Sequence, residues 1–297
     1  MDKKLKYLVF GANGLIGRAL YKRIQKNNIC IGTYFKRPET NLQYADITSS
    51  SDIERLIDQE KPDYVINCSN LSGGVDFCEY HPDIAKKYHL EANSIIGCLA
   101  QKHQSRFVFI STDYIFDGKS SPNKEEDIPH PLNVYGQLKL DAERWVLQNV
   151  SKYTVVRTTN VFGWDPASIT PNYIMNLYNT IHSDKQFKAP SFLWGNPTYV
   201  DDLAAGIIEL CANEIDGIFH IVGSSFTNRY EWAKKACQII GLDESQLIET
   251  KEIPENMTPR PFKSNLNTQK FRKHCQTRLR NTTDGLKAFV EEMSNNL

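Results

Sequence analysis

The sequence predicts an α/β fold, a Rossmann-type doubly wound parallel sheet followed by a smaller, less regular C-terminal lobe. Three observations carry this expectation. Short β-branched and aromatic runs alternate with longer segments that carry apolar residues at three- and four-residue spacing, as repeated βαβ units do. A glycine-rich turn joins the first strand to the first helix, at the carboxyl end of a strand where such sheets hold ligands. The 297 residues, 40% hydrophobic and 24% charged, suffice for one large α/β core and show no repeat or low-complexity tract.

Taken in chain order, strands are expected at Leu5–Phe10, Ile29–Thr33, Tyr64–Asn67, Arg106–Ser111, Thr154–Arg157 and Ile218–Val222. Amphipathic helices are expected between them at Leu15–Lys26, Ser51–Gln59, Pro82–Lys102, Tyr135–Asn149 and Tyr230–Ile240. The alternation weakens after about residue 160, where Gly163–Pro171 and later Pro254, Pro259 and Pro261 break the pattern. The sheet domain is therefore assigned to residues 1–160 with returning segments near 188–222, and the lobe to 161–187 and 223–297.

Lys plus Arg and Asp plus Glu are both 35, so no basic excess exists for a nucleic-acid backbone or an anionic membrane. A small anion remains compatible, because a helix start and a few local cations suffice to hold one. The seven cysteines are scattered without a C-x-x-C pair, and the seven histidines lack a helical ligand spacing, so neither a disulfide framework nor a metal site is expected. The Met1-Asp2-Lys3-Lys4 start leads into an apolar run too short for a signal core, and no run of 18 apolar residues follows. A cytoplasmic protein is the expectation.

Gly11-Ala12-Asn13-Gly14-Leu15-Ile16-Gly17 sits directly after the first strand and opens the first helix. Glycines permit the tight turn and the close approach of backbone to a pyrophosphate, and the helix start supplies N–H donors. Dinucleotide binding through Gly11, Asn13, Gly14, Leu15, Ile16 and Gly17 follows. The second strand ends in Thr33-Tyr34-Phe35-Lys36-Arg37, with no carboxylate for a ribose 2′-hydroxyl and two cations suited to a 2′-phosphate. NADP(H) is thus preferred, with NAD(H) second. Asp46 and Ile47 are placed at the adenine edge, although an Asp capping the next helix would read the same way.

Tyr135-Gly-Gln-Leu-Lys139 puts a phenol and an ammonium on one helix face. A nearby ammonium favours phenolate and would lower the phenol's pKa toward working pH, which suits acid–base chemistry at a carbonyl or alcohol. Lys139 could equally pair with Glu143 one turn on. Upstream, the strand ending Phe109-Ile-Ser111-Thr112-Asp113-Tyr114 would bring the Ser111 and Thr112 hydroxyls to the crevice mouth.

Together Gly11–Gly17, Ser111–Gly118, Pro131-Leu-Asn-Val-Tyr135-Gly-x-x-Lys139 with Glu143, and Arg260-Pro261-x-x-Ser264-x-Leu266 resemble the extended short-chain dehydrogenase/reductases, in particular the dTDP-4-dehydrorhamnose reductase branch. The resemblance runs nearly the whole length. It implies a nucleotide-sugar substrate and catalysis by Thr112, Tyr135 and Lys139: the Tyr donates a proton to a C4 keto oxygen, the Lys tunes it and binds nicotinamide ribose, and the Thr assists. It places Cys68 and Ser69, in the segment after the third strand, beside the cofactor, and Asn93 nearest to the family's helix asparagine. It sets Asp76, Asp113, Tyr114, Asn160, Trp194 and Arg260 around the substrate, with Arg260 over the sugar diphosphate. Relatives of this kind often pair as homodimers.

Three segments depart from the branch. Asn160 follows Arg157-Thr158-Thr159 where an aromatic residue is frequent; Phe192-Leu193-Trp194-Gly195-Asn196-Pro197-Thr198 replaces D-Q-x-G-x-P-T; and Val75-Asp76-Phe77-Cys78-Glu79 replaces V-D-K-A-E. Such changes in buried polar groups alter which hydroxyl pattern a site accepts. A reductase of a nucleotide-linked 4-keto-6-deoxy sugar is expected. The alternatives are a non-catalytic NADP-binding subunit resembling the β subunit of methionine adenosyltransferase and a nucleotide-sugar epimerase. Tyr114 after Thr112-Asp113 disfavours a dehydratase, whose turn is of the T-D-E type.

Overall fold

Residues 4–168 and 170–295 are described by the computed structural model, and the Met1-Asp2-Lys3 start lies outside them. Strands β1 (Lys6–Phe10), β2 (Ile29–Tyr34), β3 (Leu42–Tyr44), β4 (Tyr64–Asn67), β5 (Arg106–Thr112), β6 (Tyr153–Thr158) and β7 (Gly217–His220) form one sheet. Its order is β7-β6-β5-β4-β1-β2-β3 and every pairing is parallel. The chain builds outward from β1 to β3, then returns to β4 on the other side. The carboxyl ends of β1 and β4 therefore diverge into a crevice, the position where doubly wound sheets bind ligands.

Side-chain alternation along each strand divides the core between two layers. Tyr7, Val9, Ile66, Val108 and Val156 face helices Leu15–Ile24 and Val200–Ala212, with Phe271 from the later helix Gln269–His274. Leu8, Phe10, Val65, Phe109 and Val155 face helices Ser50–Glu60, Ala92–Lys102 and Val134–Asn149. These strand residues are essentially inaccessible, and each buried side chain of this size contributes about 1.5–3 kcal/mol.

The lobe has its own core of Phe162, Trp164, Leu177, Trp232 and Phe289, with Tyr173 stacked on Trp232. Phe187–Pro190, expected with the sheet, pairs instead with Leu247–Thr250 of the lobe. Val161–Phe162, leaving β6, pairs with Thr198–Tyr199 and ties the lobe to the sheet. Helix Arg229–Ile240 starts on the Asn228 cap, whose Oδ1 accepts from Glu231 N at 2.8 Å, and ends at left-handed Gly241.

Edge strand β3 and the helices Gly74–Tyr80, Tyr173–His182, Val200–Ala212, Gln269–His274 and Thr282–Ser294 add to the expected elements. The predicted helix Pro82–Lys102 is interrupted by a π-helical turn over Lys87–Glu91. Asn93 braces that turn, donating to the His89 carbonyl at 3.0 Å and accepting from Asn67 at 2.9 Å. Among the described residues no helix is long and apolar enough to cross a membrane.

Candidate active site

At the β1 end, Gly11 takes a left-handed φ of 74°, and the Gly14 N–H closes the turn on the Gly11 carbonyl at 3.1 Å. Gly14 caps the following helix without a side-chain bond, so the first-turn N–H groups face the groove. Gly11, Asn13, Gly14, Leu15 and Ile16 line that groove. Gly17 does not: a Cβ there would overlap the Gly11 carbonyl, so its part is to let the helix pack on the turn.

Lys36 and Arg37 line the same groove beyond β2. Arg37 donates to the Asn13 carbonyl at 3.1 Å, and the Asn13 amide donates to the Arg37 carbonyl at 2.9 Å. Ala45 and Ile47 form an apolar wall suited to a base. Asp46 is a correction to the expectation. Its carboxylate accepts from Thr48 N and Oγ1, both at 2.8 Å, and it stabilises a turn rather than facing the groove. Cys68 and Ser69 line the passage from this groove into a second pocket, and burial pushes the Cys68 thiol well above its ordinary pKa.

The second pocket holds Thr112, Tyr135 and Lys139 together. Thr112 ends β5, while Tyr135 and Lys139 stand on helix Val134–Asn149, whose Asn133 cap accepts from Gly136 N at 2.8 Å. Lys139 Nζ donates to the Ile110 carbonyl at 2.8 Å and lies 4.9 Å from the Phe109 ring centroid. Burial lowers its pKa to about 8, with the Glu143 charge acting the other way. Burial also drives the Tyr135 phenol above its ordinary value, opposed by a hydrogen bond with the Thr112 side chain. Against the expectation, Lys139 is not among the groups that shift the phenol here; desolvation dominates, and it favours the neutral form.

Glu143 does not pair with Lys139. It takes two nitrogens of Arg157, Nη2 at 2.7 Å and Nε at 3.0 Å, in a buried ion pair. The Ser111 hydroxyl donates to the same carboxylate, so Ser111 turns this group inward although it stands in the pocket wall.

Asp113, Tyr114 and Asn160 also line the second pocket. Asp113 is buried, which raises its carboxyl above the usual range against the hydroxyls of Ser264, Thr159 and Thr112. Three expected substrate residues lie outside the lining. Arg260 Nη2 binds the Asp76 carboxylate at 2.5 Å, each satisfying the other, and Trp194 packs against Phe226 with ring centroids 5.5 Å apart. Residues that sequence reasoning missed take their place: His89, Tyr173, Asn176 and Arg229. His89 is buried, its ring edge-to-face with Tyr135 at a centroid distance of 5.1 Å, and desolvation lowers its pKa to about 3. The lobe residues carried no local motif, because their neighbours in space are remote in sequence.

A doubly wound sheet with a glycine turn at its crevice and a Tyr-x-x-x-Lys helix beside it defines the extended short-chain dehydrogenase/reductase type of fold. Within that class, residues 5–295 match the RmlD substrate binding domain, and the chain belongs to this family. It is 30% identical over 273 residues to methionine adenosyltransferase 2 subunit beta of Xenopus laevis, covering 90% of this chain and 81% of that protein. A dTDP-4-dehydrorhamnose reductase from Bacillus anthracis, solved in complex with NADP, superposes with a TM-score of 0.88 at 23% identity over 98% of this chain and 100% of that one. The Clostridium acetobutylicum dTDP-4-dehydrorhamnose reductase superposes with a TM-score of 0.86 at 27% identity, over the same shares of the two chains.

Proposed function

We propose that this protein reduces the C4 keto group of a nucleotide-linked 4-keto-6-deoxy sugar with NADPH. The observation that carries the reading is Thr112, Tyr135 and Lys139 converging in one pocket that opens into a groove fitted for a dinucleotide. The fit of the groove rests on the Gly11 turn, the helix start without a side-chain cap, the apolar Ala45 and Ile47 wall, and Lys36 and Arg37, with no carboxylate among the described lining residues. Those cations suit the 2′-phosphate of NADP(H), with NAD(H) second. When bound, NADPH supplies the hydride that reduces C4.

Tyr135 delivers the proton. As a neutral phenol it donates to the substrate oxygen as that oxygen gains charge, and the Thr112 hydroxyl orients the same oxygen. Lys139, fixed on the Ile110 carbonyl, stabilises the phenolate left behind. Thr112 and Lys139 are themselves buried, and the lowered local dielectric strengthens these interactions.

The likeness to a methionine adenosyltransferase β subunit supports a second reading, a non-catalytic NADP-binding subunit. The near end-to-end likeness to the Clostridium reductase, together with the Thr-Tyr-Lys pocket, favours the reductase. Purified protein with NADPH and dTDP-4-keto-6-deoxy sugars decides between them. Oxidation of NADPH that depends on the sugar is expected, whereas NADPH binding without turnover on any sugar of the panel would sink the catalytic reading.

A further inference from the structure

Arg229, from helix Arg229–Ile240 in the lobe, lines the second pocket. Its Nη2 donates to Asn160 Oδ1 at 3.3 Å, and its guanidinium carbon lies 5.0 Å from the Tyr173 ring centroid. Among the described residues no carboxylate lies within ion-pairing distance of it, in contrast to Arg260, which Asp76 neutralises. Arg229 is also the first residue of helix Arg229–Ile240, where the helix dipole disfavours a cation. A cation in that position, charged and unneutralised beside a pocket, is placed for a ligand rather than for stability.

The parts around it are arranged to hold it. Asn160 adopts a left-handed φ of 47°, and a Cβ at Gly195 would overlap its amide nitrogen, so the glycine leaves room for the amide that orients Arg229. Thr158 also lines the pocket, and its buried hydroxyl has no hydrogen-bond partner among the described residues. A planar guanidinium with fixed orientation and a spare hydroxyl suit a bidentate oxyanion.

We infer that Arg229, oriented by Asn160, binds an oxyanion of the substrate and sets its specificity, whereas the charge of Arg260 is met by Asp76. The oxyanion is either a phosphoryl oxygen of the nucleotide diphosphate or a carboxylate on the sugar. The inference rests on the proposed nucleotide-sugar site but not on turnover at it.

Calorimetric binding to dTDP, UDP-glucose and UDP-glucuronate, for wild type, Arg229→Ala, Arg229→Lys and Asn160→Gly, tests it. Arg229→Ala should weaken binding about 10- to 100-fold, the range for loss of a charge-assisted pair. Arg229→Lys should recover part of the loss, and Asn160→Gly should give a smaller one, while NADPH binding serves as the folding control. A loss common to all three ligands assigns the diphosphate, and a loss confined to UDP-glucuronate assigns the carboxylate. Unchanged binding of all three in Arg229→Ala, or no binding of any by the wild type, would overturn the inference. With turnover on a 4-keto sugar, Arg229→Ala should raise KM more than it lowers kcat. Arg229-dependent binding without wild-type turnover would remove the reductase reading alone.

Discussion

Asn13 and Arg37 clasp each other: the Asn13 amide donates to the Arg37 carbonyl at 2.9 Å, and the Arg37 guanidinium donates to the Asn13 carbonyl at 3.1 Å. The clasp joins the glycine turn after β1 to the loop after β2, the two segments that face opposite ends of an adenosine diphosphate in such sheets. One strand of it is backbone on the Arg37 side and survives loss of the side chain.

That asymmetry separates two variants. Arg37→Ala removes a cation from the groove but keeps the Asn13 bond, so NADPH should bind about 10- to 100-fold more weakly while NADH affinity stays within a few-fold. Asn13→Ala loosens the turn itself and should weaken both cofactors alike. Fluorescence titration of the two reduced cofactors reads both effects, and an unchanged NADPH preference in Arg37→Ala would remove Arg37 from cofactor choice.

Tyr135→Phe deletes the proposed proton donor and keeps the ring that packs against His89 and Tyr114 at centroid distances of 5.1 and 5.9 Å. Turnover of the keto sugar should fall roughly 100- to 10,000-fold, with NADPH affinity preserved. Because burial holds the phenol above its ordinary pKa, wild-type kcat should show no loss from phenol ionisation between pH 6 and 9. Wild-type turnover in the Phe variant would disqualify Tyr135 as the donor.

The Glu143–Arg157 pair is a structural device beneath the site, with side-chain exposures of 2% and 3%. Removing one partner strands the other as a buried charge, so Glu143→Leu or Arg157→Leu should each cost about 3–5 kcal/mol in urea unfolding. The double variant Glu143→Leu/Arg157→Leu should lose less than the sum of the two. Strict additivity of the singles would show that the pair is not coupled.

Much of this arrangement was legible in sequence, for a local reason. The six expected strands are short apolar runs and the glycine turn lies within one segment, so spacing points to them; the Tyr135–Lys139 face is also local, and the family resemblance singles it out. Three-residue β3 is too short to show a period. Helix Val200–Ala212 buries Val200, Leu203, Ala204, Gly206, Ile207, Leu210 and Cys211, more than one narrow stripe, which blurs the helical signal. The π-turn at Lys87–Glu91 has no glycine or proline to announce it and depends on Asn93, held in turn by Asn67 at a separation of 26 residues. Arg229 meets Asn160 across 69 residues, and the Asp76–Arg260 pair spans 184, so which arginine stands in the pocket is a property of the folded lobe.

Two buried histidines set the acid limit of the fold. His89 and His220 each have a pKa lowered to about 3, chiefly by burial, against an ordinary value of 6.5. Above pH 6.5 both are neutral folded and unfolded and have no effect on stability. Below it the unfolded chain takes up protons that the folded chain refuses, so stability falls with acidification down to about pH 3. Each histidine should cost about 1.4 kcal/mol per pH unit in that window, or about 2 kcal/mol between pH 6.5 and 5. Urea midpoints measured along this range test the effect, and the slope rather than the absolute stability is the readout. His89→Leu should remove about half of the histidine contribution to that slope; an unaltered slope in His89→Leu would mean that His89 is protonated in the fold.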